Sequence, residues 1–214
     1  MATLPFLRTR ENRLRFLSVL TVAFIALVLF REPISQDPEY HDFADQRTLV
    51  GIPHTLNVIS NLPMGLVGLY GMLVIAFSVR RAGSTSFQTP ADSIPYLFLF
   101  FALVLTGIGS AYYHLAPDTP RLFWDRLPMS IAFMAYLSAA ITERIDRRTG
   151  LVALIPFLAS GMLSVLYWRA TELAGAGDLR FYILAQSYPT LFVLLMVLLL
   201  PSPYTHGRML ITVT

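Results

Sequence analysis

Ser110, His114 and Asp125 are the residues of this 214-residue sequence whose types and spacing could do chemistry. They offer a hydroxyl, an imidazole and a carboxylate, groups that move protons, stabilise oxyanions or hold a metal ion. All three lie in GIGSAYYHLAPDTPRLFWDRLPM, residues 107–129. Ser110 and His114 are four apart and share one face of a helix. The loop joining the apolar run that ends at Tyr113 to the one that begins at Leu127 is too short to cross a bilayer. His114 and Asp125 therefore belong to the same membrane side. Ionisable groups at the end of a hydrophobic bundle are costly, and by default they mark function.

The elements that must position these groups are membrane helices. Hydrophobic residues make up 55% of the chain and charged residues 14%, too few charges for an ordinary soluble domain. The expected fold is all-α, a polytopic membrane helix bundle forming a single domain over residues 1–214. Its spans fall at about 16–30, 54–79, 94–113, 127–141, 151–168 and 181–200, each near the length a bilayer requires. The first run has the basic start and short core of a signal peptide. It is followed by Arg31-Glu32-Pro33 and no small-x-small cleavage site, so it reads as an uncleaved helix.

The absence of cysteine excludes disulfides, thiolate catalysis and Cys-ligated metals. Every basic residue is Arg, which fits a GC-rich bacterial genome, and the net charge of +3 gives no nucleic-acid reading because the Arg residues cluster at helix ends. With the N-terminus cytoplasmic, Arg8, Arg10, Arg13, Arg15, Arg80, Arg81, Arg144, Arg147, Arg148 and Arg208 lie inside. Arg31, Arg47, Arg121, Arg126, Arg169 and Arg180 lie outside, so the positive-inside rule favours this orientation, in a bacterial inner membrane.

That topology collects polar groups in one layer near the outer surface. Asn57, Ser60 and Asn61 start the second span, Ser110 and His114 end the third, Asp125 precedes the fourth, and Gln186 and Ser187 start the sixth. Asn57 and Asn61 share a helix face and serve as polar support or as interhelical hydrogen-bonders. Gly65, Gly68 and Gly71 read as a close-packing stripe, and Tyr112, Tyr113, Trp124, Tyr167 and Trp168 as an interfacial aromatic belt. His41, His54 and His206 read as loop or interfacial histidines. The segment 31–53 carries Glu32, Asp37, Glu39, Asp42 and Asp45, solvated charge or, through Asp42 and Asp45, a calcium site.

NVISN (residues 57–61), GIGSAYYH (107–114), WDRLPM (124–129) and GDLRFYILAQSYP (177–189) resemble the alkaline ceramidases. These belong to a wider group of seven-helix membrane hydrolases that includes the adiponectin and progestin receptors. The resemblance covers about residues 40–208 and leaves the first helix as an addition before the family's core. It implies a zinc-dependent intramembrane hydrolase that cleaves the amide of a ceramide-type lipid, with membrane lipids and lipid substrate as its only inferable partners. Carried over, His114 would be a zinc ligand, Ser110 would polarise the amide carbonyl or stabilise its oxyanion, and Asp125 would orient or deprotonate a water. The alternatives are a non-catalytic lipid-binding receptor and, behind it, a transporter.

The sequence departs from the family twice. The family takes two further zinc ligands from a His-x-x-x-His in its last helix, and these 214 residues contain none. The run Met209–Thr214 reads like the start of another span, so the expectation is a chain cut short, binding zinc weakly and without amidase activity. The sequence downstream of Thr214 would decide this. For calcium, Asp42 and Asp45 match the family's acids, but His54 stands where a Glu is expected.

Overall fold

The computed structural model describes residues 5–80 and 87–202. Its α-helices are Arg10–Leu29 (α1), Thr55–Ile59 (α2), Leu62–Arg80 (α3), Ile94–Leu115 (α4), Thr119–Arg144 (α5), Arg147–Leu173 (α6) and Arg180–Leu199 (α7). Among the described residues there is no strand, only an isolated bridge between Leu49 and Ile52. Side chains that accept a free backbone N–H set three of the helix starts. Thr9 accepts from Asn12 at 3.2 Å, Asp118 from Arg121 at 2.7 Å and Asp146 from Thr149 at 2.8 Å.

The second span is broken. Pro63 cannot donate to the carbonyl of Ile59, and its ring crowds that carbonyl, so the helix parts at Ser60–Asn61 into α2 and α3. The Asn57 carbonyl loses its helical partner there. Asn61 Nδ2 donates to it at 2.7 Å and Ser60 Oγ at 2.9 Å. Such a break is tolerated in a membrane only when the freed groups are satisfied in this way.

The long helices alternate in direction. The start of α4 meets the end of α5 through Tyr96 and Glu143, while Gly109 near its end meets Trp124 near the start of α5. Thr142 of α5 faces Gly150 of α6, and Arg126 of α5 faces Trp168 of α6, so this pair is antiparallel too. Arg144 donates to the Leu200 carbonyl and Arg126 faces Tyr182, which places α7 parallel to α5. Gly68 of α3 lies against the Phe100 carbonyl of α4, and Thr21 of α1 pairs with Tyr188 of α7 at 3.1 Å. Helix α1 buries only Leu17 and sits at the periphery.

Among the described residues five stretches are long and apolar enough to cross a membrane: Arg10–Leu29, Thr55–Arg80, Pro90–Leu115, Arg147–Leu173 and Arg180–Leu199. The chain is a multi-pass membrane protein with an all-α bundle fold. The expected span 127–141 is the middle of α5, whose 26 residues include Arg121, Asp125, Arg126, Glu143 and Arg144. Composition hides this helix because its charges point inward: Asp125, Arg126 and Arg144 are all buried. His206 and Met209–Thr214 lie outside the described residues.

Candidate functional site

The connection between α4 and α5 is residues 116–118, shorter than the sequence suggested, and Asp125 is not in it. Asp118 caps the helix early, so Asp125 stands in its second turn. Pro128 has no N–H to give the Trp124 carbonyl, and that carbonyl faces Gly109. A Cβ at Gly109 would collide with it. Two consecutive features, a carbonyl freed by proline and a residue without a side chain, thus let α4 and α5 approach where the next residues are Ser110 and Asp125. Ser110 and Asp125 face each other across this approach, with the hydroxyl acting on the carboxylate, and both residues are buried.

His114 lies one turn nearer the membrane surface than Ser110. Its Nδ1 is buried and makes no hydrogen bond, and no hydrogen bond joins it to Ser110 or Asp125 among the described residues. Its ring contacts Phe43 at 4.7 Å between centroids. Phe43 also contacts His54 at 6.0 Å, so two imidazoles flank one phenyl ring. His54 is not a free interfacial residue: its Nδ1 lies 2.7 Å from the Asp45 carbonyl, which holds it in a left-handed backbone conformation (φ 44°) just before α2. Asp45 accepts from the Leu56 N–H at 2.9 Å and from Arg47 at 2.6 Å, and Arg47 holds its carboxyl below the usual range. Both of its oxygens are therefore engaged in holding the start of α2. Asp42 is exposed and accepts from Gln46 at 3.3 Å.

Zinc and calcium can be weighed against these donors. Among the described residues no three His, Asp or Glu side chains form a group that could hold a metal ion. His114 supplies one unoccupied buried nitrogen, and His54 has one ring nitrogen already engaged. A catalytic zinc takes three protein ligands and a water, so the described residues do not make the set.

The polar layer divides when its partners are traced. Asn57 and Asn61 bond to each other along the broken helix, Ser60 is exposed, and Ser187 faces outward while Gln186 is half-buried. Asn61 still borders the site through its backbone: a Cβ at Gly107 would lie 3.1 Å from the Asn61 carbonyl oxygen. Gly68 and Gly71 pack closely on Phe100, whereas a Cβ at Gly65 would meet open space. The aromatic belt is also partial. Tyr112, Trp124 and Tyr167 are exposed, but Tyr113 and Trp168 are buried, at 2% and 0% exposure.

Those two buried rings belong to a second polar cluster that the sequence did not disclose. Arg126, counted as an outside topology signal, is 4% exposed, and its guanidinium lies over Trp168 at 4.4 Å, Tyr182 at 4.8 Å and Tyr40 at 5.3 Å. The available signal was that Arg126 is four residues from Leu122 and from Ser130, on an inward face of α5. Above it, the short turn Pro38–His41 closes the bundle end. His41 Nδ1 lies 2.9 Å from the Tyr113 hydroxyl and Nε2 3.1 Å from the Thr119 hydroxyl. Burial pushes the His41 imidazole below its ordinary value, Asp118 pulls it back up, and Arg126 adds to the lowering. The segment is also tied at Ile34, whose carbonyl accepts from the Leu179 N–H at 2.8 Å.

Compared with protein-family models, with curated proteins and with solved structures, the chain has no match. The likeness to the ceramidases rests on the motif residues alone.

Proposed function

We propose that this protein is a membrane-embedded hydrolase that cleaves the amide bond of ceramide-type lipids. The observation that carries the reading is the buried Ser110–Asp125 pair, with the unpaired His114 one turn above it, at the mouth of an apolar bundle. One turn below the pair, Thr106 and Met129 line a hollow of about 200 Å³ together with Met64, Leu103 and Tyr136. The Thr106 hydroxyl is taken by the Ala102 carbonyl at 2.8 Å, so the hollow is apolar and suits an acyl chain. A lipid amide with its chain there would present its carbonyl at the level of Ser110.

The chain's own groups divide the work. Ser110 has one hydroxyl proton to give, to Asp125 at rest or to an oxyanion as it develops, and Asp125 can take a proton from water in exchange. His114, with a free nitrogen at the same mouth, is placed to hold the water or a metal that activates it. Zinc dependence follows from the resemblance and needs two imidazoles beyond those the described residues bring together. The favoured placement is the inner membrane of a bacterium with a cytoplasmic N-terminus; Arg126 outside and Arg144 inside are both buried, so the Arg excess on the inner side is unchanged when buried cations are left out.

The test follows release of sphingoid base from ceramide by the protein in nanodiscs. Turnover that is lost with a chelator, restored by zinc and lost in His114→Ala supports the reading. Ceramide binding without turnover replaces it with a lipid-binding receptor.

A further inference from the structure

The Arg126 guanidinium is the least explained charge in the molecule. It is buried in the membrane-facing end of the bundle, and no carboxylate lies within salt-bridge distance among the described residues. Its Nε and Nη1 have no hydrogen-bond partner, and neither does Nε1 of Trp168, the ring it stacks on most closely. Aromatic faces offset part of the cost of burying a cation, but they act on the flat faces of the guanidinium and leave its edge N–H groups unused. Buried polar groups are normally paired. The Tyr182 hydroxyl takes part of the guanidinium edge and Asp125 acts on it through space, yet three donors on two touching side chains stay unpaired, which describes the complement of an anion.

We propose that Arg126 and Trp168 form a binding site for an oxyanion, the carboxylate or phosphate of an amphiphilic lipid. Arg126 supplies the charge and the edge donors, and the Trp168 indole N–H supplies a further one. The way in is past Tyr40. Of the three rings around the guanidinium, Trp168 and Tyr182 are buried and belong to the bundle, whereas Tyr40 is 50% exposed and belongs to the covering segment. That segment is irregular, tied by two hydrogen bonds at His41, one at Ile34 and the ring of Phe43, and displacement of its Tyr40 ring uncovers the donors. Binding at this site requires no turnover, so it stands or falls separately from hydrolysis.

The chain has two tryptophans, so Trp124→Phe leaves Trp168 as the only indole reporter, in contact with Arg126. This protein, in a neutral detergent, is titrated with palmitate, hexadecyl phosphate, hexadecanol and inorganic phosphate while Trp168 fluorescence is followed. The site predicts a saturable change with the charged amphiphiles at concentrations at least tenfold below any hexadecanol response. A response to the amphiphiles but not to inorganic phosphate assigns the oxyanion to a lipid; a response to inorganic phosphate as well assigns it to free ions too, and both uphold the site. Adding Arg126→Gln should abolish the response, while Tyr40→Ala, which uncovers the guanidinium and keeps its charge, should retain it. Hexadecanol acting as strongly as palmitate in the protein with Arg126 intact would overturn the proposal, whether or not the Arg126→Gln protein folds. So would an undiminished palmitate response in Arg126→Gln.

Discussion

Replacing Gly109 with alanine tests the packing that brings Ser110 to Asp125. The new Cβ meets the Trp124 carbonyl, a backbone atom that cannot rotate away, so α4 and α5 must separate locally. Overpacking of this kind costs about 1–3 kcal/mol. Against it stands the gain from removing a helix-interior glycine, about 0.5–1 kcal/mol. The net expectation is a loss of up to about 2.5 kcal/mol, the difference of those two terms. Gly65→Ala is the internal control, because its Cβ would enter open space and should show only the helix gain. Thermal unfolding of both variants in one detergent reads the difference, and the Ser110–Asp125 pairing should fail in Gly109→Ala alone. A Gly109→Ala protein as stable as Gly65→Ala would refute the close approach of α4 to α5.

Three further outcomes follow. Because the chain has no cysteine, a Ser110→Cys/Asp125→Cys variant should be joined by a short bifunctional thiol reagent while Ser110→Cys/Ser187→Cys is not, and equal yields for both pairs would contradict the shared site. The His41 imidazole has a lowered folded pKa, so its neutral form is favoured when folded; its contribution is full above pH of about 6.5 and is lost as pH falls below that. Protection against amide exchange in residues 38–45, taken relative to the intrinsic exchange rate at each pH, should therefore fall from pH 7.5 to 5.5 and lose that dependence in His41→Gln, whereas protection that rises at low pH would reverse the sign. Asp45→Ala removes both the acceptor for the Leu56 N–H and the partner of Arg47, and limited proteolysis should then cut between residues 45 and 55. Unchanged resistance would show that the His54–Asp45 backbone bond holds this turn without the carboxylate.

The fold was legible because apolar runs of bilayer length admit few structures, and the short link after His114 made α4 and α5 antiparallel neighbours. Helix α5 was half hidden for a physical reason. Hydropathy reads composition and not direction, and here the charges face the bundle. Spacing puts Ser110 and His114 on one face and Asp125 at the same end, but it does not show the cap at Asp118, which shortens the link between α4 and α5. What the sequence could not give was the covering segment. Phe43 on His114, Tyr40 on Arg126 and His41 on Tyr113 are long-range contacts of an irregular loop, which has no periodicity to betray where its side chains go. Asn61 shows the same limit, since Pro63 breaks the helix and the amide serves the break, which residue spacing does not reveal.

The central claim, that Ser110 and Asp125 are working groups of a lipid-amide hydrolase, is met most directly by the rate of sphingoid-base release from ceramide by the protein in nanodiscs. The account predicts that Asp125→Asn, which keeps the shape but not the charge, and Ser110→Ala each lower that rate by roughly a hundredfold or more, with ceramide binding retained. Turnover within a few-fold of the wild type in both variants would contradict it.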